Sequence, residues 1–299
     1  MNLVVIMTGA TSGIGLAAAT QLRVVPGVRL LVGKRASTTD TDFLPLDLES
    51  LNSVRCFADA VKDALPEAAT IAALVLNAGV QFGSANHRTR DGFETTFAVN
   101  HLAHYLLLRL LMPRLAFGAR VVITTSNLHD ARTNHIAPPE HADAQKLACG
   151  RPELSKSQDR RSGIRAYAAS KLCNVLTARA LASSALAQDR NLRVIAFNPG
   201  FIPGTKLTRH QPLSFRLPFS IVAPIMSRLN KGNTLLDAGS HLASLVLGNT
   251  VPPKGRIYAS LVKGHITWPD PSLLANDDAV MKELWCKSAG MVSLPDHNQ

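Results

Sequence analysis

Leu3-Val-Val-Ile-Met7 is a short apolar run rich in β-branched side chains, and it stops abruptly at Thr8-Gly9. A run without apolar–polar alternation reads as a strand buried on both faces, the kind found in parallel sheets. Thr8-Gly-Ala-Thr-Ser-Gly-Ile-Gly15 follows, then a helical pattern over Leu16–Arg23 that Pro26-Gly27 stops. Strand, glycine turn and helix in this order are the context a dinucleotide-binding motif requires. Gly9 permits the tight turn, Gly13 lets the backbone approach a pyrophosphate, and Gly15 lets helix and strand pack closely. The helix start, with Thr11, Ser12, Gly13, Ile14 and Gly15 around it, offers unpaired N–H groups to phosphate oxygens. A parallel sheet interleaved with helices is the architecture that satisfies all of this.

The second strand, Arg29–Val32, ends in Gly33-Lys34-Arg35, with no acidic residue before Asp40. Dinucleotide sites test the ribose 2′ position about twenty residues after the glycines: a carboxylate there selects a free hydroxyl, and basic groups accommodate a phosphate. Lys34 and Arg35 therefore predict NADPH rather than NADH, arginine being suited to bidentate phosphate contacts.

The remaining chain keeps the alternation. Phe43–Leu46 reads as a third strand ending at Asp47-Leu48, where a carboxylate can meet an adenine amine, and Ser50 is a fair N-cap for a helix over Leu51–Ala64. Ile71–Leu76 is a fourth strand closing on Asn77, Ala78 and Gly79, at the edge where open parallel sheets bind ligands. A long helix over Asp91–Leu115 carries Asn100 in its interior, and a fifth strand, Arg120–Thr124, runs into Ser126. Asn127–Gly163 is polar and aperiodic and reads as an inserted functional loop. Helix Ile164–Ala187, strand Arg193–Phe197 with its Pro199-Gly200 turn, an apolar proline-containing wall over residues 201–231, helix Gly232–Leu247, strand Gly255–Ala259 and helix Asp277–Ala289 complete the chain. Alternation of this kind predicts one doubly wound α/β domain over residues 1–299 with a seven-stranded parallel sheet.

Within helix Ile164–Ala187, Tyr167 and Lys171 stand four residues apart and share a face. A nearby ammonium favours phenolate, so Tyr167 is a candidate acid/base group.

Composition narrows the remaining options. The net charge of +11 has its densest cluster at Arg151–Arg165, but no nucleic-acid module or basic–aromatic interleaving accompanies it. The most apolar long segment, Phe97–Leu115, is broken by Asn100, His101, His104, Arg109 and Arg114, so no membrane span is expected. No signal peptide is read before the first strand. Four scattered cysteines lack zinc spacing and suit a reducing cytoplasm. His129, His135 and His141 share no helical face, and no metal site is expected.

Taken together, these residues resemble the short-chain dehydrogenase/reductase family. The T-G-x-x-x-G-x-G signature matches Thr8, Gly9, Gly13 and Gly15; Asp47, the Asn-Ala-Gly of Asn77–Gly79, Asn100, Ser126, Tyr167-x-x-x-Lys171 and Pro199-Gly200 follow in family order, and Thr205 resembles a nicotinamide-contacting threonine. Asn100–Leu107 and Tyr167–Thr177 are most similar to the branch of retinol dehydrogenases and light-dependent protochlorophyllide reductases. The resemblance implies a Rossmann domain and a tetrad. Tyr167 would protonate a carbonyl oxygen, Ser126 would hold that oxygen, Lys171 would lower the Tyr167 pKa and hold the ribose, and Asn100 would position a relay water. It also implies NADPH-dependent interconversion of carbonyl and alcohol on an apolar small molecule. Carbon–carbon double-bond reduction and a non-catalytic NADP(H) sensor are the alternatives. Relatives often pair through the helices carrying Asn100 and Tyr167, so a homo-oligomer is a further expectation. Two departures stand out: Arg35 to Asp47 is too short for the usual helix, and the membrane anchor of many retinol enzymes is not expected here.

Overall fold

A computed structural model describes residues 3–35, 40–150, 156–202, 207 and 232–295. Strand β1 (Leu3–Thr8) passes through the glycine turn into α1 (Gly13–Arg23), then β2 (Val28–Lys34), β3 (Phe43–Pro45), α2 (Leu51–Asp63) and β4 (Ile71–Leu76). Ser50 caps α2 as expected, its hydroxyl accepting from the Ser53 N–H. The expected long helix is a composite: one α-turn, α3 (Thr95–Phe97), a wide π-turn over Ala98–Leu102, and α4 (Ala103–Leu111). Then come β5 (Leu115–Thr124), α5 (Ala144–Cys149), α6 (Lys156–Ala182), α7 (Ala185–Asp189), β6 (Arg193–Asn198), α8 (Leu235–Leu247), β7 (Tyr258–Val262), β8 (His265–Thr267) and α9 (Asp278–Met291).

The strand order is β3-β2-β1-β4-β5-β6-β7-β8, so the winding direction reverses between β1 and β4. The side chains of β1 divide between the two faces. Val4 and Ile6 join a core with α2, α4, α6 and α9, and Val5 and Met7 join one with α1 and α8. Burial on both faces explains why the strands read as continuous apolar runs.

The sheet has eight strands rather than the seven expected. β8 is a short antiparallel edge strand joined to β7 through Lys263 and Gly264, both at positive φ (49° and 79°). That backbone is the two-residue hairpin turn whose twist matches the strands. The Lys263-Gly264 pair between Leu261-Val262 and His265-Ile266 was the available sequence signal.

The Asn127–Gly163 segment is more ordered than an aperiodic loop. α6 begins at Lys156, eight residues before the expected start, and Gly163 lies inside it because the Phe82–Gly83 backbone crosses there; a Cβ would come within 2.5 Å of the Phe82 carbonyl oxygen. Upstream, Asn134 donates to the carbonyls of Leu128 (3.0 Å) and Ala137 (2.9 Å). Arg132 grips the Asp130 carboxylate and donates to the backbone carbonyls of Asp270 and Pro271. Of the expected apolar wall, residues 203–206 and 208–231 lie outside the described residues.

Candidate active site

The glycine turn lies where β1 and β4 diverge. Gly9 and Gly13 adopt positive φ (69° and 58°). A Cβ on Gly9 would stand 2.6 Å from the Ala78 Cα, and one on Gly15 would stand 2.0 Å from the Gly9 carbonyl oxygen. Nothing approaches the Gly13 position within 4 Å. Gly13 therefore serves through its conformation and open side, whereas Gly9 and Gly15 serve through close packing. Ser12 takes the N-cap position of α1 but makes no side-chain capping bond, leaving the first N–H groups of the helix without that partner.

Asn77 binds the protein itself. Its Nδ2 donates to the Gly9 carbonyl (3.2 Å) and its Oδ1 accepts from the Thr124 hydroxyl (3.0 Å), tying β1, β4 and β5 together. At the end of β2, the Lys34 ammonium lies 5.2 Å from the centre of the Phe43 ring, with Arg23 at 4.8 Å from the same ring. Arg35 is exposed beside it. Asp47 Oδ1 accepts from the Glu49 N–H (3.1 Å), which fixes the carboxylate at the end of β3.

The second half of the site gathers on α6. Tyr167 and Ser126 share one wall of a cleft, and Ser126 Oγ accepts from the Leu128 N–H (3.3 Å). His129 holds the same turn from behind: its Nδ1 meets the Ser126 carbonyl at 2.7 Å and its Nε2 accepts from the Ser272 N–H at 3.2 Å. The histidine weighed as a metal ligand is thus a buried brace. Lys171 donates to the Thr124 carbonyl (3.0 Å), and its Nζ lies 5.5 Å from the centre of the Tyr167 ring. Asn174 donates to the same carbonyl (3.1 Å), a contact the sequence did not reveal.

Electrostatics depart from the sequence argument. Burial pushes the Tyr167 phenol above its ordinary range, opposed weakly by the neighbouring Ser126 hydroxyl, and burial brings Lys171 down to about 8. The expected lowering of Tyr167 by Lys171 does not dominate, because both groups are buried and desolvation disfavours each charge.

Asn100 is fully buried behind this pair in the π-turn. Its Oδ1 accepts from the Val80 N–H (2.8 Å), and its Nδ2 donates to the Val80 carbonyl and Ser170 Oγ (both 3.0 Å). A cleft of about 1500 Å³ along the carboxyl ends of the strands connects the two halves. Its walls include every described residue expected to hold the nucleotide, together with Ser126, Tyr167, Lys171, Pro199 and Gly200. Asn100 stands behind the wall, and Thr205 lies outside the described residues.

Residues 3–138 match the family model for short chain dehydrogenases. Protochlorophyllide reductase B of Oryza sativa is 32% identical over 324 aligned residues, which cover 98% of this chain and 78% of that one. Human retinol dehydrogenase 12 is 34% identical over 245 residues, covering 77% and 70%. The chain belongs to the short chain dehydrogenase family. A crystal structure of an uncharacterized Mycobacterium paratuberculosis protein superposes with a TM-score of 0.66 at 25% identity, covering 98% of this chain and 94% of that one. The two named relatives come from the branch the sequence pointed to. This dehydrogenase-family chain spans only 53–58% of the length of some other curated relatives it matches.

Other features of this family member were not legible beforehand. At the far end of the cleft, Asn198 donates to Ser260 Oγ (3.0 Å), and Tyr258 packs edge-on against His129 at 5.2 Å. Asn233 donates to the carbonyls of Pro199 and Leu261 and accepts from Gly264, pinning the Pro-Gly turn to β7. Cys173 is fully buried in the core. No helix among the described residues is long and apolar enough to cross a membrane.

Proposed function

We propose that the chain is an NADPH-dependent oxidoreductase that interconverts carbonyl and alcohol groups on an apolar small molecule. The observation that carries this reading is the convergence of Ser126, Tyr167 and Lys171, whose Nζ lies 5.5 Å from the centre of the Tyr167 ring, in the wall of the cleft that starts at the glycine turn. The residues fit a nicotinamide dinucleotide: added Cβ atoms would collide at Gly9 and Gly15, and Lys34 and Arg35 end β2. The cleft volume exceeds the roughly 300–1,000 Å³ usual for a single small ligand. Space for a second molecule beside the dinucleotide follows.

The turn over Gly9–Gly15 would hold the pyrophosphate, Lys34 and Arg35 the 2′-phosphate, Asp47 the adenine, and Lys171 the ribose. When bound, the nicotinamide supplies or accepts hydride. Ser126 hydrogen-bonds and orients the substrate oxygen. Tyr167, held as the neutral phenol, gives its proton to that oxygen, and the Lys171 ammonium stabilises the phenolate left behind. Because burial favours the phenol, the arrangement suits reduction at neutral pH. The helices α4 and α6 carry α9 across them, with Tyr105 donating to the Trp285 carbonyl (3.0 Å), so a homo-oligomer of this chain would form on another face.

Purified protein should consume NADPH with a panel of apolar aldehydes and ketones. Adding enones to the panel tests double-bond reduction, which the similarity to protochlorophyllide reductase B favours as the second reading. Tight NADPH binding without consumption by any substrate class would instead support a sensor.

Two measurements probe the roles of individual groups. Lys171 is an ammonium below about pH 8 and neutral above it, so the reductive rate should hold below that value and fall as pH rises through it; a flat profile from pH 7 to 9.5 would remove Lys171 from the proton step. The double variant Lys34→Ala/Arg35→Ala should weaken NADPH binding by about 10–100-fold, the scale of losing charge-assisted hydrogen bonds. NADH affinity, read by the same fluorescence titration, should barely move. An unchanged NADPH preference would show that the 2′-phosphate lies elsewhere.

A further inference from the structure

His104, on α4, is 2% exposed and belongs to neither group of residues assigned above. One ring nitrogen, Nε2, lies 2.9 Å from the hydroxyl of Thr8, and the other, Nδ1, lies 3.2 Å from the backbone carbonyl of Asn100. Thr8 opens the glycine turn; Asn100 sits in the π-turn behind the Tyr167–Lys171 pair. A single imidazole therefore spans the two halves of the site.

The direction of these bonds follows from counting donors. Thr8 Oγ1 accepts from the Asn77 N–H (3.0 Å) and the Ala78 N–H (3.1 Å), which engage its two lone pairs. Its own proton must then be donated. The Val75 carbonyl is 3.5 Å away, at the limit of a useful bond, whereas His104 Nε2 is at 2.9 Å. Nε2 is thus the acceptor, and the ring proton resides on Nδ1, which donates to the Asn100 carbonyl. Both bonds require a neutral ring. Burial, reinforced by the nearby Lys171 charge, lowers the His104 pKa to about 3. The Asn100 carbonyl can take a side-chain partner because the π-turn Ala98–Leu102 departs from the regular i→i+4 ladder, an irregularity often found at functional positions.

We propose that His104 is a positioning residue that bridges the two halves of the site, its imidazole fixed in one tautomer between the Thr8 hydroxyl and the Asn100 carbonyl. The hydrogen bonds of Thr8 set where Asn77 and Ala78 meet the glycine turn, and the bond to Asn100 sets the π-turn that supports Val80 and Ser170. Each arm thereby supports one half of the site, the Thr8 bond the glycine turn and the Asn100 bond the groups behind Tyr167. The inference rests on the oxidoreductase reading for its kinetic consequence and on geometry alone for the link itself.

Amide side chains can separate the two arms. In His104→Asn the amide nitrogen replaces Nδ1 and can still donate to the Asn100 carbonyl, but nothing reaches Thr8. In His104→Gln the longer amide replaces Nε2 and can accept from Thr8, leaving the Asn100 carbonyl unbound. His104→Asn should therefore raise the NADPH Kd about tenfold while keeping kcat within about twofold, and His104→Gln should do the reverse, the factor for one buried hydrogen bond. His104→Leu should show both defects.

Equal effects of the Asn and Gln variants on both readouts, or no effect of either, would overturn the assignment of one arm to each half. If the variants fail to fold, as judged by thermal melting, nitrogen-15 NMR of the unmodified protein decides. It should find Nδ1 protonated and Nε2 bare, unchanged from pH 5 to 8. The opposite tautomer, or a titration in that range, would overturn the proposal. Absence of turnover in the unmodified protein would sink the oxidoreductase reading, while NADPH affinity and the ring tautomer would still judge the link.

Discussion

Replacing Tyr167 with phenylalanine should lower turnover of any reducible carbonyl by about 10²–10⁴-fold, the usual contribution of a positioned general acid. The same change should leave NADPH affinity near its original value. The ring of Tyr167 is buried, and phenylalanine preserves its packing against the rest of α6. What is lost is the hydroxyl, the proposed proton donor in the cleft wall it shares with Ser126. Steady-state kinetics paired with a binding titration separate the outcomes. Turnover at the original rate would exclude Tyr167 as the proton donor, and loss of both turnover and binding would assign it to cofactor retention instead.

Gly15→Ala should be the most damaging single methyl addition in the glycine turn. The new Cβ would lie 2.0 Å from the Gly9 carbonyl oxygen, a backbone atom that can yield only if the turn itself shifts. Overpacking of this kind costs about 1–3 kcal/mol in well-packed sites, and the displaced turn should also bind NADPH poorly. Gly13→Ala provides the control. Its Cβ would meet open space, so its cost is mainly that of holding alanine at a φ of 58°, about 1–2 kcal/mol. Calorimetric melting and NADPH titration of the two variants should rank Gly15→Ala as the worse in both. The opposite ranking would show that conformation, not packing, governs this turn.

Most of the architecture was legible because its signals are local. A parallel strand buried on both faces must be apolar throughout, and Leu3–Met7 and Ile71–Leu76 show that pattern. Gly9 and Gly15 betray close approach because no other residue fits. Tyr167 and Lys171 share a helical face through spacing alone. Less legible were features that depend on what crosses an element from elsewhere. Gly163 looked like the end of a loop, yet it lies within α6 beneath the Phe82–Gly83 backbone. His129 looked like one of three loose histidines, yet it braces the Ser126 turn against Ser272.

The sequence by itself determined the alternation of strands and helices, the glycine turn, the basic end of β2 and the shared face of Tyr167 and Lys171, since each follows from side-chain size, charge or helical period over a few residues, whereas Asn100 and Ser126 entered only through the family resemblance. The tertiary structure decided how those groups are tuned. Burial holds the Tyr167 phenol protonated and reduces the basicity of Lys171, a consequence of the water excluded around them rather than of their spacing. It also decided that Asn77 braces three strands, that Asn100 stands behind the wall of the cleft, and that His104 joins the glycine turn to it. Hydrogen-bond partners distant in sequence leave no periodic trace, so only the folded chain could reveal them.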